Sequence, residues 1–323
     1  MGRTHGTIEL PFIKGHMGGN TILLLPGVEG EDSFLVKMAL NLLEKKNLSC
    51  HQAGFLYPGS RGGTLKVRIV GYSTKWFISA CGGLTQVLGL AFKEGLLDQV
   101  FGLSVFDKEE EFSLETEAGD VLIRVSENSQ GGIRVLTDMT SFVRECHQKG
   151  MEPLSIDGQE AFRIGKFLVV NAGDMRRREQ KGNFEQFDAD ALSTLKSLQQ
   201  RFQKQCETSS CDFSLYDWSP YEEGCIRAVF PHGIESGHVE PACGTGTVAI
   251  GLALFASGQL VNHIREDTGT IELDLETGGG PGLSGDESTH LLMHVGNGSV
   301  NGALFSHSKV EILARGTVFV RGS

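Results

Sequence analysis

Ala80-Cys81-Gly82-Gly83-Leu84-Thr85-Gln86-Val87-Leu88-Gly89-Leu90-Ala91-Phe92 aligns without a gap on Ala242-Cys243-Gly244-Thr245-Gly246-Thr247-Val248-Ala249-Ile250-Gly251-Leu252-Ala253-Leu254, with seven of the thirteen positions identical. Cys243 follows Cys81 by 162 residues in a chain of 323. A repeat at half the chain length marks two similar domains. In each copy a cysteine stands just ahead of a Gly-rich turn and an apolar run of helical length.

That placement has a specific physics. A helix start leaves backbone N–H groups without partners and carries about half a positive charge. Glycines there let another molecule approach the backbone closely, so the turn suits a carboxylate. The same field stabilises a thiolate. Two such units related by a pseudo-twofold axis would aim two sulfurs at one ligand from opposite sides. Stereoinversion at an acidic carbon needs that arrangement, with one base removing the proton and an acid on the other face returning it. The alternative reading is that small residues before an apolar helix serve close packing and that each cysteine is a buried small hydrophobe. The matched pair favours the chemical reading.

Length and composition bound the rest. A chain of 323 residues has material for two cores. Its 40% hydrophobic and 21% charged residues describe an ordinary globule. Glycine outnumbers proline 43 to 8, which favours many tight turns. A net charge of −11 argues against a nucleic-acid surface. Met1–Ile13 has no signal-peptide pattern, and no apolar run approaches the roughly 20 residues of a membrane span. The seven cysteines therefore point to reduced thiols and a cytoplasmic setting. Cys206 and Cys211 lack a matching second pair, so no zinc site is expected.

Along the chain, residues 7–26 read as two strands about a Gly-rich turn. Asp32 or Ser33 caps a helix with Leu35, Met38, Ala39, Leu42 and Leu43 on one face and Lys45 and Lys46 at its C-terminal end. Leu65–Tyr72 and Trp76–Ala80 read as strands delivering the chain to Cys81. Strands follow at Glu111–Glu115, Val121–Val125 and Gly132–Leu136, then a short helix over 137–150. In the second half, 161–171 is a strand region and Phe187–Gln205 an amphipathic helix with Leu192, Leu195, Leu198 and Phe202 on one face. Strands are expected at Phe213–Tyr216, Cys225–Phe230, Thr270–Leu275, His290–Val295, Val300–Phe305, Val310–Ala314 and Thr317–Val320. Gly278–Gly282 has no Lys-Ser/Thr pair after it and reads as a hairpin rather than a phosphate loop.

Pro241-Ala242-Cys243-Gly244-Thr245-Gly246 resembles the second catalytic-cysteine motif of the diaminopimelate epimerase and proline racemase superfamily, and Cys81-Gly82-Gly83 resembles the first. Lys14-Gly15-His16-Met17-Gly18-Gly19-Asn20 is similar to the epimerase's opening segment. The resemblance implies an α+β fold of two pseudo-symmetric domains, each a β-barrel-like sheet wrapped around a central helix. It places the first domain at 1–150, with strands from about 306–323 returning to it, and the second at 151–305. It implies a cofactor-independent racemase or epimerase with Cys81 and Cys243 as the acid/base pair. Asn20, Gly82, Gly83, Gly244 and Thr245 would hold a small carboxylate substrate such as an amino acid. No cofactor, metal, nucleic acid or membrane is implied, and no oligomeric state.

The match has departures. The epimerases' Glu-Arg pair eight to nine residues before the second cysteine is Ile234 and Glu235 here. Their Asn nine residues before the first cysteine is Tyr72, and their Gly-Asn-Pro-His turn is Gly173 followed by Asp174, Met175 and Arg176. These changes point away from diaminopimelate itself. Arg176–Arg178 reads as a solvated basic loop or as a contact to a second acidic group. Glu235, His238 and Glu240 stand on the approach to Cys243 as candidate ligands or solvated residues. Cys81-Gly82-Gly83-Leu84-Thr85 with Val87, Gly89 and Glu94-Gly95-Leu96 also resembles double-bond isomerases of the same fold, which act on unsaturated acids such as methylaconitate. Phe230-Pro231 and Glu240-Pro241 are faintly similar to the phenazine-biosynthesis branch, which lacks the cysteine pair. A non-catalytic small-acid binding protein is the third alternative.

Overall fold

The computed structural model describes residues 7–103, 110–127, 131–156, 158–172, 189–206, 211–218, 226–231, 239–280 and 283–321. The chain divides into two units, Met1–Thr137 with Val310–Ser323, and Asp138–Lys309.

In the first unit, β1 (Thr7–Met17) turns through Gly18 and Gly19 into antiparallel β2 (Asn20–Pro26). Both glycines have positive φ, 54° and 82°, as a tight two-residue hairpin demands. Helix α1 (Asp32–Leu43) then crosses to β3 (Gln52–Pro58), which lies parallel to β2 and antiparallel to β4 (Thr64–Gly71). The short β5 (Trp76–Ile78) folds back on β4. Next come α2 (Gly82–Lys93) and α3 (Leu96–Phe101), and then β6 (Glu111–Thr116), parallel to β4. An antiparallel run through β7 (Gly119–Glu127) and β8 (Ile133–Asp138) follows. Strand β17 (Val310–Arg321) pairs antiparallel with β1, from Thr7↔Arg321 to Met17↔Val310. The sheet order is therefore β17-β1-β2-β3-β4-β6-β7-β8.

The second unit repeats this plan. Helix α4 (Thr140–Lys149) leads to β9 (Met151–Ile156), which pairs with β10 (Gln159–Ile164) as β17 does with β1. Strand β11 (Phe167–Asn171) is antiparallel to β10, and α5 (Ala189–Gln205) crosses to parallel β12 (Asp212–Asp217). Antiparallel β13 (Ile226–Val229) precedes α6 (Gly244–Ala256). Strand β14 (Thr270–Gly280) lies parallel to β13, and β15 (Leu283–Gly296) and β16 (Ser299–His307) complete an antiparallel run. The senses of pairing match the first unit strand for strand.

Each sheet curls about its apolar helix. Leu84, Val87, Leu88 and Ala91 of α2 are fully buried among Ile13, Ile22, Leu65, Val67, Leu114 and Ile123 from five strands. Helix α6 is apolar on all sides, with Val248, Ala249, Ile250, Leu252 and Leu254 fully buried. A helix of that composition persists only inside a core, and burying each large side chain contributes roughly 1.5–3 kcal/mol. The opposite face of the first sheet packs on α1, where Leu35, Ala39 and Leu43 meet Phe55, Val70 and Leu23.

The structure places most expected elements within a few residues and changes some details. Asp32 is not the α1 cap. It is the first helical residue and pairs with Arg68 at 2.9 Å, while Glu31 is the N-cap without a side-chain bond. Lys45 and Lys46 lie beyond the helix, and Lys46 pairs with Glu44. Residues 310–321 are one strand rather than two. Strand β3, helix α3 and strand β9 are additions to the expected elements. Phe187, Cys225, Pro281 and Gly282 lie outside the described residues.

The shared spacing of the repeat also explains two glycines. A Cβ on Gly89 would lie 2.5 Å from Val135 Cγ1 and 3.0 Å from Ile123 Cγ2, and one on Gly251 would lie 2.6 Å from Leu291 Cδ2 and 2.9 Å from Met293 Sδ. Both helices thus approach the same part of their sheets too closely for a side chain. Val and Ile are stiff, whereas Leu and Met ends can rotate away. Gly89→Ala is expected to destabilise by about 1–3 kcal/mol. Gly251→Ala should cost less, because the Leu291 and Met293 ends can turn aside, while the roughly 1 kcal/mol that a helix gains from Ala over Gly is common to both. Urea denaturation of the two variants checks the order; equal losses would contradict this packing.

Candidate active site

The first turn of each apolar helix begins at a cysteine. Cys81 is the N-cap of α2 with φ −148° and ψ 113°, and Cys243 is the N-cap of α6 with φ −140° and ψ 112°. Cys81 Sγ accepts the N–H of Leu84 at 3.4 Å, and Cys243 Sγ accepts the N–H of Gly246 at 3.4 Å. Oxygen side chains usually fill this position. A sulfur here faces the positive end of the helix, an environment that favours negative charge on it. Both cysteines are buried but not sealed, each with 8% of its surface exposed.

The rest of each first turn is arranged for an anion. The Thr85 and Thr247 N–H groups bond the Cys81 and Cys243 carbonyls, which begins the helical ladder. The N–H groups of Gly82 and Gly83, and of Gly244 and Thr245, have no acceptor among the described residues. Such groups at a helix start bind carboxylates and phosphates. The Thr245 hydroxyl lies 3.3 Å from Cys243 Sγ.

Asn20 enters the first unit's site from β2. It is fully buried, and a Cβ on Gly83 would lie 3.3 Å from its Nδ2. The structure therefore brings Asn20 and Gly83 together, and the absent side chain at Gly83 makes room for the amide. His16 holds the turn that carries Asn20. Its Nδ1 accepts the Gly19 N–H at 3.1 Å, so its Nε2–H donates to Glu311 Oε2 at 3.0 Å. Both nitrogens are committed to structure.

Several supporting residues have no recognisable sequence signal. Gln86 Nε2 donates to Thr137 Oγ1 at 2.8 Å, Thr137 and Thr85 hydroxyls lie 2.9 Å apart, and Thr85 Oγ1 donates to Gly82 O at 2.7 Å. This fully buried chain fixes the rotation of α2 against β8. Around α6, a Cβ on Gly246 would strike Phe230 at 2.6 Å and Ser214 Oγ at 2.9 Å. Glu240, three residues before Cys243, is 7% exposed and its N–H bonds the Phe230 carbonyl at 2.8 Å. Tyr72 is exposed, with its N–H bonded to His51 O at 2.9 Å. Ile234, Glu235, His238, Gly173 and Asp174 to Arg178 lie outside the described residues. Among the described residues no group of His, Cys, Asp or Glu is arranged to hold a metal ion, and no helix is long and apolar enough to cross a membrane.

No family model and no curated protein sequence matches the chain. Solved structures do. A hydroxyproline epimerase from Agrobacterium vitis, with trans-4-hydroxy-L-proline bound, is 14% identical over 97% of this chain and 92% of its own, with a TM-score of 0.62. The chain has the fold of the epimerases and proline racemases. A PhzF-family phenazine biosynthesis protein from Bacillus anthracis shares it at 12% identity, 98% and 100% coverage and a TM-score of 0.57. A methylitaconate-delta-isomerase shares it at 12% identity, 97% and 96% coverage and a TM-score of 0.57. The epimerase fold thus spans proteins with different activities, and at these identities the likeness is one of architecture.

Three other cysteines sit in surroundings of the opposite kind. Burial pushes the Cys50 thiol up to about 11, and those of Cys146 and Cys211 up to about 12. They stay protonated near neutral pH. A folded-state value raised above the ordinary 9.0 means stability that is full below pH 9 and lost as pH climbs through 11–12. Native-state alkylation at about pH 8 followed by peptide mass spectrometry should leave Cys50, Cys146 and Cys211 unmodified. Rapid labelling of any of them would contradict their buried placement.

Proposed function

We propose that the protein is a cofactor-independent racemase or epimerase that inverts the α-carbon of an amino acid or related small acid, with Cys81 and Cys243 as its acid/base pair. The observation that carries this reading is the matched N-cap geometry of the two cysteines, each on a buried helix with a pair of N–H groups beside it that have no acceptor among the described residues. Hydroxyproline in the similarly folded epimerase supports a substrate of amino-acid size.

In the proposed reaction the substrate carboxylate accepts hydrogen bonds from the N–H groups of Gly82, Gly83, Gly244 and Thr245, with the Asn20 amide beside Gly83. One cysteine is a thiolate and the other a thiol. The thiolate takes the α-proton, and the C–H electron pair moves into the carboxylate as an enediolate. Fixed N–H dipoles offset that developing charge. The opposite thiol then protonates the α-carbon from the other face and becomes the thiolate, so the enzyme ends a turnover with its two roles exchanged. Titration of the two thiols is coupled, because the working state holds one proton between them. Sulfur chemistry of this kind needs both cysteines reduced, as a cytoplasmic setting keeps them.

The methylitaconate-delta-isomerase of the same fold favours a second reading, in which the proton is returned to a different carbon and a double bond migrates. A single experiment separates the readings. Candidate amino acids and small unsaturated acids are incubated with the protein in D2O and followed by proton NMR and polarimetry. Racemisation with loss of the α-proton signal is expected, and Cys81→Ala and Cys243→Ala should each lower it by at least about 10²-fold. Alkene migration would establish the second reading. Near-normal turnover by either alanine variant would remove that cysteine from the mechanism, and a protein that binds acids without exchanging any proton would be a binder.

A further inference from the structure

The two capping cysteines share a backbone geometry but not their surroundings. The Thr245 hydroxyl lies 3.3 Å from Cys243 Sγ. The repeat puts Gly83 at that place beside Cys81, and glycine has no hydroxyl to offer. A second difference comes from the tight turn before β2 and before β11. In the first unit that turn is Gly18-Gly19, both with positive φ. Its counterpart is Gly165-Lys166, where Gly165 alone has positive φ, at 58°. A turn that needs glycine only at its first central position leaves the second open to a side chain, and Lys166 stands there. Its Nζ pairs with Asp212 Oδ2 at 2.7 Å and lies 5.5 Å from the centre of the Phe167 ring. Asp212 opens β12. Ser214, the next residue on the same face of that strand, already lies against the first turn of α6, with its Oγ 2.9 Å from a Cβ placed on Gly246. The Lys166–Asp212 pair therefore stands at the end of the sheet where α6 starts.

We propose that Cys243 is the thiolate and Cys81 the thiol of the resting protein, with Thr245 and Lys166 as the positioning residues that set the difference. The inference rests on the acid/base pair proposed above. A hydroxyl that donates to a thiolate and an ammonium that faces it both favour the charged form. Half-buried, Lys166 would lose some of its proton affinity. The Asp212 carboxylate, then the Cys243 sulfur and Glu145 of α4, hold its pKa above the ordinary 10.5. The attraction between ammonium and sulfur is mutual, so a cation that gains from charge on Cys243 also stabilises that charge. Asp212 and the buried Glu240, three residues before Cys243, are the carboxylates that act against it, and the cation and the hydroxyl offset them. In the proposed reaction Cys243 then takes the α-proton first, the C–H electron pair enters the carboxylate, and Cys81 returns its own proton to the other face. The enantiomer whose α-proton faces Cys243 meets its base ready-made, whereas the opposite one needs the proton moved from Cys81 to Cys243 beforehand.

The test labels the native full chain with iodoacetamide from about pH 5 to 10 and follows the Cys81 and Cys243 peptides by mass spectrometry. Cys243 is expected to react at lower pH than Cys81. Lys166 is exposed and Thr245 partly so, so substitutions there should keep the far-UV circular dichroism. Thr245→Val and Lys166→Met should each move the Cys243 profile up by about half a pH unit or more, a roughly threefold slower labelling on its acid side. Lys166→Arg, which keeps the charge, should keep the wild-type profile. Cys81 reacting at lower pH than Cys243 would overturn the proposal. A Cys243 profile indifferent to Thr245→Val or to Lys166→Met would overturn that residue's part in it, and Lys166→Arg behaving as Lys166→Met would overturn the role of the charge. Labelling needs no turnover. A protein with the expected profiles that inverts no amino acid would keep the charge assignment and lose the racemase reading.

Discussion

A helix buried almost all round leaves little but its ends for a ligand. In both units of this protein the helix is enclosed by a sheet along its length, and its first N–H groups are what remains for a ligand. The cysteine sulfur takes one of those N–H groups and leaves the two before it without an acceptor among the described residues. Enclosure and reactivity are thus linked: the same burial that stabilises the helix also keeps water away from the dipole at its start, where a fixed N–H counts for more than in bulk solvent. A side chain at Gly83 would press on the Asn20 amide, and one at Gly246 would strike Phe230 and Ser214.

The duplicated plan does not make the two halves equivalent. At Cys81 the neighbouring amide of Asn20 stands over Gly83, and Gln86 locks α2 to β8 through Thr137. At Cys243 the repeat has Thr245 in place of Gly83 and Val248 in place of Gln86, and the Thr245 hydroxyl lies against the sulfur instead. Thr85 bonds the Gly82 carbonyl, whereas Thr247 bonds the Cys243 carbonyl one residue earlier. In the proposed racemisation, an amino acid presents different substituents to its two faces, and two thiols set in unlike surroundings suit such a molecule better than two identical ones would.

Much of this is legible because glycine and cysteine recur at fixed offsets. The thirteen-residue repeat locates both helices and both caps, and Asn20 follows from its segment's resemblance to a known opening motif. What the sequence conceals has physical reasons. The α1 cap is misread because Asp32 satisfies an arginine across the sheet rather than its own helix, a tertiary preference overriding a local one. Strand β9 escapes notice because proline and glutamate mask a strand that needs only one neighbour. Residues 310–321 look like two strands because Arg315-Gly316 resembles a turn, while pairing with β1 carries the chain straight through, with an irregularity near Lys14 and Gly15. The Gln86–Thr137–Thr85 chain joins residues some fifty positions apart, and polar side chains on an apolar helix give no sign of where their partners lie.

The edge strand of the first unit is supplied by the last residues of the chain, with Thr7 aligned to Arg321, whereas the second unit is contiguous from Asp138 to Lys309. On a ribosome the later-made half can therefore complete its sheet before the earlier one does. Until β17 emerges, β1 has no neighbour along its outer side and the core around Ile13 is uncovered. Pairings of such sequence separation form slowly and leave apolar surface exposed meanwhile. The order of synthesis and the order of closure run in opposite directions in this molecule, and a nascent chain stalled before residue 310 would carry an unfinished first barrel.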